Sequence, residues 1–282
     1  MTNQELALYA NTIRHDIIKA LGKAGSGHPG GSLGMADIFT ALYFSEAHVD
    51  PKNPNDPNRD RIVLSNGHIC PVLYATLARA GYFPLEEMQT LRVLGSKMQG
   101  HPHRGALPGL ETTSGPLGSG LSQAAGMALG LRMDKSAARV FCLTSDGEHQ
   151  EGNHWEAVML ASKYKLDRLI QIMDRNYIQI DGTTEDVMPL DPVADKYRAF
   201  GWNVIEIDGH NFTQILEAIR SASAHTGTPT LINARTIPGK GVSYMEGKFT
   251  WHGKTPNAED TQKALADLDA VRDAIENGTY VY

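Results

Sequence analysis

Apolar positions at the start of the chain recur with the period of an α-helix. The residues that share one helical face are Leu6, Ile13, Ile17 and Leu21. Thr2 and Glu5 have the spacing of a capping box, which predicts that the helix begins there. The glycine-rich run 22–31 ends it. The chain is therefore predicted to open with an amphipathic helix and a glycine-rich loop.

Short apolar segments alternate with amphipathic helices along the rest of the chain. Strands are predicted at 61–64, 139–144, 168–174, 202–207 and 230–234. Helices are predicted at 36–44, 71–80, 121–132, 155–164, 192–200, 212–222 and 264–275. Because most of the strands are apolar throughout, they are expected to form a mainly parallel sheet with helices on both faces. This is the doubly wound α/β fold class.

The loops at one edge of this sheet are the expected place for ligands, since doubly wound folds bind them beyond the carboxyl ends of the strands. Those loops are 65–68, 145–151, 174–182, 208–211 and 235–256. The stretches 100–105 and 109–120 are rich in glycine and proline, and long loops inside a domain are commonly functional. We expect one domain over residues 1–256 and a helical tail over 257–282.

Composition and charge exclude several function classes. Of 282 residues, 41% are hydrophobic and 21% charged, as in globular proteins, and the net charge of −6 argues against nucleic acid as a partner. No apolar run approaches the ~20 residues of a membrane-spanning helix. The N-terminus lacks the apolar core of a signal peptide. Cys70 and Cys142 are expected to be buried thiols, and the protein to be cytoplasmic.

Two strand-end loops carry oxygen ligands that suit a hard cation. Asp146 and Gly147 follow the second predicted strand, and Asn176 ends the next one, thirty residues after Asp146. Mg²⁺ in proteins takes one or two carboxylates together with other oxygens, including those of phosphate. Gly147 leaves room for a phosphate to approach the backbone. A simple turn and a loop cap would use the same residues, so the spacing alone leaves both interpretations open.

A resemblance to a known family favours the metal site. Asp146-Gly147, Glu151 and Asn176 resemble the signature of thiamine-diphosphate enzymes, and DGEHQEGNHWEAVMLASKYKLDRLIQIMDRNYIQIDG resembles its transketolase form. Six further segments resemble transketolase blocks in the same order: 26–34, 65–75, 100–102, 109–130, 207–211 and 236–256. The similarity covers roughly residues 5–256 and is to the N-terminal, diphosphate-binding half, as in split two-subunit transketolases.

The resemblance implies a role for each matched residue. Catalytic contacts with the sugar are implied for His28, His101 and His252. Metal ligation is implied for Asp146, Asn176 and the backbone carbonyl of Ile178, with Mg²⁺ as the ion and Ca²⁺ or Mn²⁺ as alternatives. Contacts with thiamine diphosphate are implied for His68, Gly115, Pro116, Leu117, Gly147, Glu151, Asn176, Lys240 and His252. Lys254 is implied to add positive charge near the diphosphate or the sugar.

The implied reaction moves a two-carbon ketol unit from a ketose or ketose phosphate to an aldose, with the cofactor as the carbanion sink. Imidazole, with a pKa of ~6.5, suits proton transfer near neutral pH, so several histidines at one sheet edge fit this chemistry. The remaining histidines carry other expectations. His15 is predicted to face the surface or a partner, and the residues predicted to be exposed are His48, His149, His154 and His225. His210 is predicted to cap a helix or to contact the cofactor. His103, beside His101, is left open between a role in the site and none.

The resemblance also implies a missing half. Enzymes of this kind use two domains for each site, and all the matched blocks belong to the diphosphate domain. We expect the pyrimidine-binding domain, and the arginines that bind a sugar phosphate, on a partner chain, with two copies of each chain in the assembly (α2β2). Phosphorylated sugars are the default substrates, and a different partner could accommodate a sulfonated sugar.

Three positions depart from the family pattern: Ser145 stands where glycine is usual, Arg175 where an acid or amide is frequent, and Tyr177 where glycine is frequent. Ser145 is expected to keep the turn, and Tyr177 to change how the loop covers the pyrimidine ring. Three alternative functions stay open. A 2-oxo-acid dehydrogenase α chain is not expected to carry the GHP and WHGKTP blocks, and a deoxyxylulose-phosphate synthase usually differs at Pro29. A non-catalytic subunit would have been free to lose the matched histidines.

Overall fold

A five-stranded, all-parallel sheet forms the centre of the computed structural model, which describes residues 1–280. The strands in chain order are β1 (Arg61–Leu64), β2 (Val140–Ser145), β3 (Leu169–Arg175), β4 (Ile178–Gln179), β5 (Gly182–Thr183), β6 (Asn203–Asp208) and β7 (Thr230–Arg235). The order in the sheet is β1-β2-β3-β7-β6, and β4 pairs with β5 in a separate antiparallel hairpin. The predicted parallel sheet is confirmed, because each predicted strand lies within one or two residues of an observed one.

Helices cover both faces of this sheet. Within residues 1–280 they are α1 (Asn3–Ala24), α2 (Pro29–Gly34), α3 (Ala36–Ala41), α4 (Cys70–Ala80), α5 (Gly120–Met133), α6 (Gly152–Lys163), α7 (Thr184–Val187), α8 (Val193–Ala199), α9 (Phe212–Ala224) and α10 (Ala258–Glu276). None of these helices is long and apolar enough to cross a membrane. Helix α2 interrupts the run predicted as a loop, because Pro29 at the first helical position favours a helix start.

Two apolar layers hold the helices against the sheet. Side chains of β2 alternate between them: Phe141 and Leu143 belong to the layer that contains α1, α3, α4, α9 and α10. Val140 and Cys142 belong to the layer that contains α5, α6 and α8. The doubly wound arrangement follows from this burial on both faces. Cys70 and Cys142 are buried free thiols, as predicted.

Helix α10 packs along α1 in the core. It begins at Ala258 because Asn257 and Asp260 form a capping box, so the predicted start at residue 264 is wrong. The Asn11 side-chain amide donates to the Leu268 carbonyl at 3.0 Å, and Leu268 is fully buried. His15 contacts Asp269 at 2.9 Å and is buried, so the prediction that it faces the surface or a partner is wrong. Residues 281–282 of the predicted tail lie outside the described residues.

Candidate functional site

A cavity of about 380 Å³ lies at the carboxyl edge of the sheet. Among the residues predicted for the site, those that line it are His28, His68, His101, Gly115, Leu117, Gly147, Glu151, Asn176, Ile178 and His252. Gly31, Ser145, Gln150, Gln179 and Ile180 also line it. The loops after β1, β2 and β3 therefore meet the glycine-rich loops and the WHG segment at one place, which is called the histidine cavity below.

Other predicted residues lie beneath or outside the histidine cavity. Asp146 is fully buried directly before Gly147. Pro116 is exposed next to Leu117. Lys240 lines a different cavity, and its Nζ lies 3.9 Å from a Glu246 carboxylate oxygen. Lys254 is exposed, with Nζ 4.4 Å from the centre of the Trp251 ring. Neither lysine is among the residues that line the histidine cavity.

Three imidazole rings converge in the cavity wall. The ring centres of His28, His68 and His252 lie 5.1 to 5.6 Å apart. Burial lowers the pKa of His28 to about 4, and burial also lowers the pKa of His68, His101 and His252. At neutral pH the rings are therefore uncharged, and each offers one donor and one acceptor nitrogen. Nδ1 of His28 and Nδ1 of His252 have no hydrogen-bond partner within residues 1–280, as suits rings that await a ligand.

The predicted metal ligands are adjacent in the structure. The Asp146 carboxylate accepts hydrogen bonds from the Gly147 amide at 2.8 Å and from the Tyr177 amide at 2.7 Å. The side-chain oxygen of Asn176 accepts from the Ile178 amide at 3.0 Å. One carboxylate, one amide oxygen and a backbone carbonyl are the oxygen donors that Mg²⁺ prefers. Within residues 1–280 no three or more His, Cys, Asp or Glu side chains are grouped to hold an ion, so a metal here would depend on this mixed set and on ligand oxygens.

A buried arginine lies beside this set. The Arg175 guanidinium is 1% exposed and bonds Asp146 at 3.1 Å, Glu185 at 2.8 Å and Asp191 at 2.9 Å. Burial nevertheless outweighs the arginine and raises the pKa of Asp146 to about 6. Two of the three departures from the family pattern, Arg175 and Tyr177, pack together. The guanidinium carbon of Arg175 lies 3.9 Å from the centre of the Tyr177 ring.

Tyr177 has a φ of +62°, in the left-handed region that favours glycine. This conformation explains why glycine suits the position after the asparagine. The tyrosine ring lies beside a neighbouring cavity that Asp191 and Arg235 also line, and it does not line the histidine cavity. Its stacking on Arg175 offsets part of the backbone strain, which is of order 1–3 kcal/mol for such residues.

Glu148 joins three site loops and was not predicted to have a role. Its buried carboxylate accepts from the Ser65 hydroxyl at 2.6 Å, the Gly118 amide at 2.8 Å and the Ser145 amide at 2.9 Å. Burial raises its pKa to about 7. Ser145 keeps the turn, as predicted, and Gly147–Gln150 form a 3-10 turn. The polar run around Glu148 reads as an exposed loop, so no sequence signal reveals these contacts.

The prediction that His149 and His154 are exposed is wrong. Both rings are buried under the Asp146 loop, and both bond the Tyr197 hydroxyl, at 2.8 and 2.7 Å. His149 Nδ1 also lies 2.9 Å from the Ser145 carbonyl oxygen. The network supports the turn that carries Asp146. The sequence held a signal for their burial. His149 and His154 lie five residues apart on either side of the start of α6, and α6 packs on the sheet.

His210 positions the loop that leads to His252. Its Nε2 accepts the Ile237 amide at 2.8 Å, which leaves Nδ1 to donate to Asp37 at 2.7 Å. Asn211, not His210, caps α9, so the capping prediction is wrong. His210 lines the cavity of Lys240 and not the histidine cavity. Of the other histidines, His48 is exposed as predicted, and His225 is only half-buried, with its ring bonded to Thr228. His103 is exposed.

The histidines with lowered pKa values predict how stability depends on pH. Their folded-state pKa values lie below the ordinary ~6.5, at about 4 for His28 and about 3 for His149, with lowered values for His68, His101, His154 and His252. The unfolded chain therefore binds more protons below pH 6.5, and stability is lost as the pH falls. Asp174, Glu148 and Asp146, with pKa values raised to about 7, 7 and 6, act oppositely but are fewer.

We expect the free energy of unfolding of the cofactor-free chain to be lower at pH 5.5 than at pH 7, because the six histidines with lowered pKa values outnumber the three acids with raised ones. Urea unfolding at both pH values measures it. His154→Asn should reduce the difference more than the control His225→Gln, because the His154 ring is buried and the His225 ring is half-buried. Equal or greater stability at pH 5.5 would contradict the prediction.

Comparison with known proteins agrees with this geometry. Residues 6–270 match the family described as "Transketolase, thiamine diphosphate binding domain". The 6-deoxy-6-sulfo-D-fructose transketolase subunit SqwG of Clostridium sp. strain MSTE9 is 44% identical, over 95% of this chain and 98% of that protein. An apulose-4-phosphate transketolase subunit of Phocaeicola vulgatus is 41% identical, over 95% of each chain.

Solved structures give the same relation at the level of the fold. The transketolase of Campylobacter jejuni superposes with a TM-score of 0.89 and 34% identity, over 99% of this chain. Only 46% of that longer transketolase chain is covered. The similarity thus extends over nearly the whole of this chain and less than half of the longer one.

Proposed function

The chain belongs to the transketolase family as its thiamine-diphosphate-binding part, and we propose that it acts as one subunit of a two-chain transketolase. The observation that carries this proposal is the histidine cavity, where three neutral imidazoles meet the oxygen donors of the Asp146 and Asn176 loops. The relatives described above are transketolases or transketolase subunits. This favours ketol transfer over the dehydrogenase and synthase alternatives.

Thiamine diphosphate with Mg²⁺ is the proposed cofactor pair, with Ca²⁺ or Mn²⁺ as alternative ions. Asp146, Asn176 and the Ile178 carbonyl would hold the ion. Gly115 lines the cavity, and Gly115 and Gly118 have φ values of +155° and +78°, a backbone conformation that favours glycine. A Cβ at Gly118 would lie 2.3 Å from the Asn153 side-chain oxygen, so the loop beside the cavity packs this closely only with glycine at that position. When bound, the cofactor supplies the electron sink for cleavage of the carbon–carbon bond beside a carbonyl.

The remaining cofactor contacts stay proposals of the same kind. His68, Leu117, Gly147 and Glu151 line the cavity and are placed to contact the cofactor. Pro116 and Lys240 would contribute only from outside the cavity, through their neighbours or a movement of the loop. Domain organisation is proposed as a unit over residues 1–256 and a tail over 257–282, of which α10 packs on α1.

The protein residues proposed to act on the sugar are His28, His101 and His252. Each is neutral at pH 7, so each can accept a proton from a hydroxyl group and return it later. Partial burial of the His28 and His252 rings also limits the water that can compete for the sugar hydroxyls. Three acid–base groups on three loops can therefore bind different oxygens of one substrate.

The substrate class is proposed from the relatives. One is named for 6-deoxy-6-sulfo-D-fructose and another for apulose-4-phosphate, and both sugars carry an anionic group. We infer that this chain also serves a ketose with a sulfonate or phosphate group, as donor or as product.

A partner chain is part of the proposal, because the relatives of matching length are named as subunits. This partner would carry the pyrimidine-binding domain, in an α2β2 assembly in the cytoplasm. Light scattering of the purified complex tests the stoichiometry, and cell fractionation tests the location.

We expect the purified chain alone to show little turnover, and the complex with its partner to transfer a ketol unit from an anionic ketose to an aldose. Chromatography of the aldose product, with sulfonated, phosphorylated and neutral ketoses compared side by side, measures the activity. Pyruvate as the donor is the control for the other thiamine-diphosphate reactions. Full activity of the chain alone would contradict the two-chain proposal, and an inactive complex that binds the cofactor would favour a non-catalytic subunit.

A further inference from the structure

Arg92 lies between the two loops that carry His28 and His101. Its guanidinium donates to the Ser26 hydroxyl at 2.9 Å and to the Gly100 carbonyl at 3.4 Å. Ser26 precedes His28 by two residues, and Gly100 directly precedes His101. The side chain is half-buried and forms no ion pair with a carboxylate of residues 1–280. One unneutralised cation therefore bridges two loops that are far apart in the sequence.

The local backbone conformation places this guanidinium between the two loops. Arg92 has a φ of +60°, a conformation that is strained for a residue with a side chain. Its amide is held by the Met98 carbonyl at 2.8 Å. A Cβ at Gly100 would lie 2.7 Å from the guanidinium carbon, so the glycine leaves the space that the arginine fills. Strained residues persist where the surroundings determine them, and they cluster at functional sites.

The charge of Arg92 acts on both histidines. Burial is the main cause of the lowered pKa of His28, and the fields of His252, Arg92 and His101 lower it further. The pKa of His101 is lowered by burial and then by Arg92. The rings that face His28 are His68, at 5.1 Å, and His252, at 5.6 Å. No carboxylate contributes to the shift of either ring, so Arg92 is the fixed charge that both of them face.

We propose that Arg92 is a positioning residue that holds His28 and His101 at a set separation, so that both can bind oxygens of the same ketose. The proposal rests on the proposed transketolase function. Arginine suits this role because its planar fork bonds two acceptors at once, whereas lysine offers a single point charge.

The test uses the complex with its partner and three variants of this chain. Arg92→Met removes the charge and both bonds, and Arg92→Lys keeps the charge. Arg104→Met is the matched control, since Arg104 is exposed on the neighbouring loop and its side chain has no bond within residues 1–280. We expect Arg92→Met to raise KM for the ketose roughly tenfold, and Arg92→Lys to raise it less. Arg104→Met should behave as the unchanged protein.

The pH profile separates positioning from a general structural role. Without the cation the two imidazoles gain protons more readily, so the acidic limb of kcat/KM should move to higher pH by about one unit in Arg92→Met. It should stay in place in Arg92→Lys, where the charge remains. An unchanged KM together with an unchanged limb in Arg92→Met would overturn the proposal.

A second readout does not depend on activity. Histidine-ring NMR titration of the full chain, without partner or cofactor, follows His28 and His101 directly, with the signals assigned through His28→Gln and His101→Gln. Their midpoints should rise in Arg92→Met and not in Arg104→Met. If the complex showed no ketol transfer, the proposed function would fail, while this titration would still decide the role of Arg92. If Arg92→Met did not fold, Arg92→Lys would decide: a raised KM with an unmoved limb supports the proposal, and a KM equal to that of the unchanged protein overturns it.

Discussion

Asp146→Asn is expected to raise the dissociation constant of thiamine diphosphate with Mg²⁺ by about 100-fold or more, with a corresponding loss of activity at limiting cofactor. Loss of an outer-shell partner alone costs ~10–100-fold in metal affinity, and Asp146 is the one carboxylate among the proposed ligands. Asparagine is nearly isosteric, but its single side-chain oxygen can accept from only one of the Tyr177 and Gly147 amides, which bond different oxygens of Asp146 at 2.7 and 2.8 Å. The substitution therefore removes the charge and one backbone hydrogen bond of the loop, and urea unfolding of the cofactor-free variant measures the second effect separately.

Isothermal titration of the complex, with and without Mg²⁺, measures this effect. Asp134→Asn is the matched control, because Asp134 is exposed at the end of α5, away from the cavity. The control should bind as the unchanged protein does. Equal magnesium-dependent affinity in Asp146→Asn would remove Asp146 from the metal site, and no binding by the unchanged complex would remove the cofactor from the proposal.

Arg175→Met is expected to destabilise the cofactor-free chain by about 3–5 kcal/mol, the usual cost of removing one partner of a buried ion pair. Arg175 is 1% exposed and Asp146 is fully buried, so the substitution leaves a buried carboxylate without a counter-charge. Because burial already raises the pKa of Asp146 to about 6, protonation could relieve this cost in acid. The free energy of unfolding should therefore be measured at pH 8, where protonation of Asp146 is less favourable.

Urea unfolding of a double-mutant cycle measures the coupling. Asp146→Asn combined with Arg175→Met should be less destabilised than the sum of the two single variants, because neither charge is then left alone. Arg198→Met is the control: its partners Asp195 and Glu206 lie on the surface, where an ion pair contributes about 0–1 kcal/mol. If Arg175→Met destabilised the chain no more than Arg198→Met, the buried pair would have no structural role.

The fold was predictable because its signals are local. The strands that became β1, β2, β3, β6 and β7 are short apolar runs with turn residues at their ends, and parallel strands buried on both faces have that pattern. The capping box of Thr2 and Glu5 formed as predicted. Errors arose where two local preferences competed. Pro29 began a helix within a glycine-rich run, and Asn257 began α10 well before the apolar positions became regular.

The candidate site was predictable only as a set of residues. The blocks name His28, His68 and His252, and the carboxyl edge of the sheet brings them to one cavity. The blocks could not separate Lys240 from this group, because a loop after a strand can turn towards either of two cavities. They also could not show Arg92, since its role depends on loops that meet only in the folded chain.

The sequence by itself determined the parallel sheet, the loops that follow its strands and the family to which those loops belong, because the periodicity of apolar residues and the order of short motifs are properties of the chain. Only the tertiary structure decided burial. His149, His154 and Glu148 stand in polar segments that read as exposed, and Arg175 follows an apolar strand, yet each is buried with partners. The reason is physical: whether a polar side chain meets water or another polar group depends on elements that are distant in sequence and adjacent only after folding.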